Sequence, residues 1–141
     1  MADLTSVPAQ VALVDPEQAE VYSFIAAAAL SAGDPLYLNS SGNVGLADAN
    51  ATAPAPQFRG IALESVGAGQ AVSVLKRGRV PASALGAGSL AYGAIVYLSD
   101  TVGKLADAAG TTSVKAGQVV PLADSDRTKC VYIDANWAAG Y

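Results

Sequence analysis

Residues 33–48 read GDPLYLNSSGNVGLAD, and residues 93–107 read GAIVYLSDTVGKLAD. In each, an alternating apolar run meets a polar turn containing glycine, and a second short run closes on Leu-Ala-Asp. Alternation with period two marks a half-buried strand. Two such runs around a short polar loop with glycine mark a β-hairpin. The chain therefore writes one hairpin twice.

The similarity extends beyond the hairpin. At an offset of 60, Leu30, Gly33, Tyr37 and Leu38 fall on Leu90, Gly93, Tyr97 and Leu98. At an offset of 59, Leu46-Ala47-Asp48-Ala49 falls on Leu105-Ala106-Asp107-Ala108, and Ile61, Leu63, Val72 and Val74 fall on Val120, Leu122, Val131 and Ile133. One deletion in the second hairpin loop accounts for the change of offset. FRGIALES and QAVSVLKRGRV flank Val66-Gly67-Ala68-Gly69, a second strand–turn–strand unit, and VYSFI at 21–25 reads as a further strand. Residues 49–57, ANATAPAPQ, form a Pro/Ala-rich surface loop.

Two copies, about 28–80 and 88–135, are too few for a solenoid. They suit an all-β fold, a small β-barrel or β-sandwich built from two pseudo-repeated hairpin units, each half closing the other's edges. Tyr37 and Tyr97 hold equivalent places, ring in the core and hydroxyl at the rim. Residues 20–141 make a single β domain. Residues 1–19 form an extended N-terminal arm with two prolines, scattered apolar residues and one short strand at Val11–Val14. The arm either packs on its own domain or reaches a neighbour.

Composition bounds the rest. Of 141 residues 52% are hydrophobic, but 30 of them are alanine, whereas Leu, Ile and Val total 32. That supports thin sheets rather than a thick centre. The net charge of −4, with 14% charged residues, argues against a polyanion-binding surface. The one basic cluster, Lys76, Arg77 and Arg79, reads as a solvated strand end or turn, or as a contact for an acidic protein surface. The N-terminal segment lacks a basic region, and the apolar run Val21–Leu30 is too short for a signal peptide or membrane span. A soluble protein made in a cytoplasm is expected.

Residues that usually carry chemistry are scarce. With no histidine, Ser-His-Asp and Cys-His arrangements and the commonest transition-metal ligand are gone. A lone cysteine, Cys130, rules out an intramolecular disulfide and a Cys-rich zinc site, and reads as a buried small residue. Asp124-Ser125-Asp126 opens like a calcium loop, yet Lys129 stands where the loop's glycine belongs and no Glu ends it. Gly86-Ala87-Gly88-Ser89-Leu90-Ala91 matches a dinucleotide fingerprint formally but leads into a strand, not a helix. No catalytic, cofactor or metal residue is expected. Trp137 and Tyr141, in the tail NWAAGY, either cap the barrel or anchor a partner.

The run ALSAGDPLYLNSSGNVGLAD, followed by RGIALESVGAGQAVSVLKRGRV, resembles the small capsid decoration (cement) proteins of tailed bacteriophages. The residues that carry the resemblance are Ala32, Gly33, Asp34, Tyr37, Leu38, Gly60, Ala62, Leu63, Gly69, Val72 and Val74. They fit a cadence of AGD-x-VYL, polar turn, GxAL, Gly-rich turn and VxVxxxG. It covers residues 21–80 well and 88–108 as a degenerate repeat, and Val119-Val120-Pro121-Leu122 departs from a second GxAL. The resemblance implies a non-enzymatic virion protein on the outer surface of the head. There it would bridge major capsid protein subunits as a homotrimer, or alternatively a homodimer, without nucleic acid or membrane as partner. On this reading Leu4, Val7, Val11 and Leu13 of the arm would fill partner pockets by strand addition. The competing expectation is a fibre, adhesin or carbohydrate-binding β module.

Overall fold

The computed structural model describes residues 2–52, 54–123 and 127–138, so Tyr141 and the Asp124-Ser125-Asp126 turn lie outside the described residues. Among those residues the chain forms nine strands: β1 Glu20–Ile25, β2 Pro35–Leu38, β3 Val44–Leu46, β4 Gly60–Ala62, β5 Ala71–Pro81, β6 Ile95–Leu98, β7 Leu105–Ala106, β8 Lys115–Pro121 and β9 Lys129–Asp134. Single-turn 3-10 helices stand at Pro8–Gln10, Pro16–Gln18 and Ala82–Leu85. The fold is all-β. One antiparallel sheet, ordered β3-β2-β4-β5-β9-β8-β6-β7 with β1 added to β5, curls into a half-barrel.

That order reads as two like halves, β3-β2-β4-β5 and β7-β6-β8-β9, joined where β5 pairs with β9 from Arg77↔Asp134 to Pro81↔Cys130. Each tyrosine of the repeated hairpin faces a small residue, Tyr37 opposite Gly45 and Tyr97 opposite Ala106. A Cβ on Gly45 would lie 3.1 Å from the Tyr37 ring, so the small partner makes room for it.

The registers correct the overlay of the two halves. Leu38 pairs with Val44 and Leu98 with Leu105, so β3 matches β7 at an offset of 61, not 59. The second hairpin loop is longer by one residue; there is no deletion. Likewise Ile61↔Leu75 matches Gln118↔Tyr132, an offset of 57 for the remaining strands. Both errors are slips of two residues, which leave every side chain on the same face and so do not disturb the apolar pattern.

Glycines mark the true register. Gly60 and Gly117 occupy equivalent places, each with backbone so close to the next strand that a Cβ would stand 2.3 Å from a carbonyl oxygen, Leu75 O and Tyr132 O respectively. No other residue type allows that approach.

The core holds few large side chains. Leu36, Ile61, Leu75, Leu85, Leu98 and Ile133 are fully buried, and alanines such as Ala47, Ala62, Ala84, Ala116 and Ala135 fill the gaps at zero exposure. A larger cluster runs across β5, β9, β8 and β6 with Leu85. A smaller one gathers Ala26, Leu30, Leu36, Val44, Ala62, Val72 and Val74 beneath the first half. Thin packing of this kind leaves the sheet edges as the vulnerable feature, because an unpaired edge recruits other strands.

Two of those edges are covered from within. Past β1, Ala26 bridges Val44 and the Ala27 N–H donates to the Val44 carbonyl, closing the outer side of β3. The arm covers β7: the Leu4 N–H donates to Leu105 O (2.8 Å), the Asp107 N–H to Ala2 O (3.1 Å), and Ser99 Oγ hydrogen-bonds the Asp3 carboxylate. That hydroxyl, with Thr101, holds the Asp3 carboxyl below its ordinary pKa.

The arm packs along its own domain. Leu4 is in the core, the Val7 N–H donates to Ala84 O and the Val14 N–H to Arg79 O. Gly86 forms the floor under Thr5, whose carbonyl oxygen would be 2.4 Å from any Cβ there. The short strand expected at Val11–Val14 does not form. Pro8 and Pro16, at the first turn of 3-10 helices, set the local path instead, with fixed φ and no N–H to pair.

Candidate docking surface

β1 is the edge left open. It pairs with β5 along one side, Glu20↔Arg77 to Ile25↔Ala71. The Ala26 N–H donates to Gln70 O on the β5 side, and the Ala27 N–H donates away from it. Alternation along an antiparallel strand then turns the backbone groups of Val21 and Ser23 outward. Among the described residues, no backbone partner meets them. The side chains are apolar as well: Val21 is 41%, Tyr22 43% and Ile25 44% exposed. Natural edge strands are usually blunted with lysine, proline or a bulge on the free side. From Val21 to Ile25 this strand has neither lysine nor proline, and its one register shift lies at its start, between Glu20 and Val21.

Next to the strand lies a groove of about 470 Å3 lined by Phe24, Leu38, Gln57, Arg59 and Trp137. Register brings Tyr22 and Phe24 to the face shared with Val74 and Val72, and Trp137 packs over both, 4.9 Å from the Tyr22 ring and 6.0 Å from the Phe24 ring. The indole is fixed at its polar end, where Nε1 donates to Arg59 O (2.8 Å), and Lys76 Nζ stands 4.8 Å from the ring centroid. Arg59 sits where burial lowers the pKa of its guanidinium, and its Nη1 reaches Asn136 O. The result is an apolar, aromatic wall with cationic groups at its rim, a chemistry suited to protein contact.

Of the residues singled out in the sequence, Lys76 and Trp137 meet here. Arg77 and Arg79 do not join them. Arg77 Nε pairs with Asp134 (2.8 Å), which raises its pKa, and Nη1 lies 3.6 Å from Glu20. Arg79 Nη2 binds Asp15 (2.5 Å), likewise raising its pKa, and so ties the end of the arm to β5. The basic run is thus matched by Glu20, which Lys76 and Arg77 share, and by Asp134 and Asp15, and no continuous basic patch results. Leu4 is consumed by the core; Val11 and Leu13 are partly buried; Val7 remains 39% exposed.

Tyr22, Phe24, Leu38, Gln57 and Arg59 were missed in the sequence. The only signal was the aromatic, unguarded character of VYSFI. A second, shallower groove of about 280 Å3, lined by Ile95, Lys115, Gly117, Gln118, Tyr132 and Asp134, lies over β8 and β9. Cys130 is buried, as its alternation predicts. Among the described residues no helix is long and apolar enough to cross a membrane. In comparison with known proteins, no family model matches the chain, and no curated protein sequence matches it.

Proposed function

We propose that this chain is a structural virion protein that binds the outer surface of a tailed-phage head and cements neighbouring major capsid protein subunits. The observation that carries the reading is the open apolar strand β1 beside the Trp137 groove, on a sheet whose other two ends are closed by the chain itself. A surface of that kind serves adhesion between proteins. The resemblance of residues 21–80 to decoration proteins supplies the partner, and Gly33, Gly60 and Gly69 of that cadence lie at turns and close approaches of the fold with positive φ. Binding only to the assembled shell stabilises it by mass action, and many copies add together.

The test is to add the purified protein to heads that lack it and heat them. Heads that survive higher temperatures in proportion to bound protein support the reading. Heads that neither bind it nor gain resistance overturn it.

The groove also gives a second reading, a carbohydrate-binding or adhesin module, since Trp137 lies beside Gln57 and Arg59. A sugar platform needs a free aromatic face. Here Lys76 and Tyr22 already stand against the indole, which favours the protein-binding reading.

A further inference from the structure

We propose that β1 pairs antiparallel with β1 of a second copy of this chain, with Tyr22 on the two-fold axis. The proposal uses the docking surface described above and names one of its occupants; it does not require shell binding.

The register follows from which backbone groups are free. On the outer side, Val21 and Ser23 each present an N–H and a C=O, whereas Ala26 and Ala27 are engaged with Val44, so β3 occupies that side beyond Ile25. An antiparallel pair centred on Tyr22 sets Val21 opposite Ser23 of the other copy, and each such pair exchanges both hydrogen bonds. Tyr22 then faces Tyr22 at a non-hydrogen-bonded position, where side chains approach most closely. Partner residues before Ala19 meet no strand of the first copy, because the chain turns off there through the 3-10 helix Pro16–Gln18.

Charge permits the meeting. The strand's one charged residue, Glu20, lies at its end and is already paired within its own chain with Lys76 (3.4 Å) and Arg77 (3.6 Å). No like charges are brought together along the pair. Shape favours it too. Tyr22 is exposed, held against Trp137, and of a residue type that anchors interface centres. Such a contact is isologous and closes with two copies. It would place two Trp137 grooves side by side, so one dimer would grip a shell at two points.

Sedimentation equilibrium of the full chain should give a dimer, and Tyr22→Lys, which puts two cations on the axis, should give a monomer. Ser23→Pro should do the same by removing an N–H that meets no backbone partner among the described residues; circular dichroism establishes that each variant folds. Tyr22→Cys should form a disulfide-linked dimer under mild oxidation, because cysteines facing each other at a non-hydrogen-bonded site are within about 4.4–6.8 Å between Cα atoms. Tyr92→Cys, equally exposed elsewhere, should not, and Cys130 is buried. A monomeric or trimeric wild type, a dimer indifferent to both folded variants, or equal cross-linking at residues 22 and 92 would overturn the proposal. Head binding by a wild type that proves monomeric would leave the cement reading standing while this one fell.

Discussion

Gly117→Ala is predicted to be among the most damaging single-methyl additions to this protein. Gly117 lies between β6 and β9, opposite Val96 on one side and Ile133 on the other. Its φ is not in the left-handed region, so alanine would bring no backbone strain of its own. The added Cβ would stand 2.3 Å from Tyr132 O and 3.1 Å from the carbonyl carbon. An ordinary carbon–oxygen contact needs about 3.3 Å, so the two strands must part locally by about 1 Å. That separation weakens about two ladder hydrogen bonds at about 1 kcal/mol each. Overpacking adds about 1–2 kcal/mol. The expected loss is about 3–4 kcal/mol, or roughly 6–14 °C in Tm for a chain of this size.

Gly42→Ala is the contrast. It lies in the first hairpin loop with φ +85° and nothing within 4 Å of a Cβ, so it carries only the left-handed penalty of about 1–2 kcal/mol. Gly60→Ala should be at least as severe as Gly117→Ala, because it combines the 2.3 Å approach with φ +142°. Urea unfolding followed by Trp137 fluorescence measures all three. If Gly117→Ala proved no more costly than Gly42→Ala, the close β8–β9 approach and the register derived from it would be wrong.

Asp15→Ala should release the far end of the arm at a cost of no more than about 1 kcal/mol, given the part-exposed ion pair, with faster hydrogen exchange at the Val14 amide and little change elsewhere. The Ser99 hydroxyl lowers the folded-state pKa of Asp3. The bond therefore stabilises the docked arm above the unfolded carboxyl pKa and is lost as pH falls through the folded value. The Leu4 amide, followed by NMR, should lose its docked shift below about pH 4, and Asp3→Asn should flatten that dependence. Asp34 has the opposite sign: burial raises its carboxyl pKa, so its contribution improves on acidification, and Asp34→Asn should stabilise the protein at neutral pH only if the Ser31 N–H bond is kept. Trp137→Leu removes the bond to Arg59 O and the contacts with Tyr22 and Phe24, and should cost about 2 kcal/mol by urea unfolding followed by circular dichroism, since it also removes the chain's single tryptophan.

The strands and hairpins were legible because alternation and glycine turns are local signals. VYSFI, PLYLN and KCVYID all form strands close to where their patterns place them. Register was less legible, since a two-residue slip preserves the face of every side chain. The apolar matches at 59 are equally good patterns, and the shared close approach of Gly60 and Gly117 decides for 57. The path of the arm was misjudged at Val11–Val14 because Pro8 and Pro16 outweigh the apolar content there. Of the site, only Trp137 and Lys76 could be found. The groove draws Phe24, Leu38, Gln57, Arg59 and Trp137 from four separate segments, and no local pattern joins them. The run Lys76-Arg77-Gly78-Arg79 looked like a patch in one dimension. Alternation on β5 and the acids Glu20, Asp134 and Asp15, brought in from other segments, dissolve it.

The measurement that bears most directly on the docking surface is a cryo-electron microscopy map of heads lacking this protein after incubation with it, alongside heads given the groove variant Leu38→Asp. Ordered density at local symmetry axes, with β1 and the Trp137 groove turned toward shell or sister subunit and occupancy lost in the variant, is the predicted result. Density that presents this surface to solvent, or full occupancy by Leu38→Asp, would contradict it.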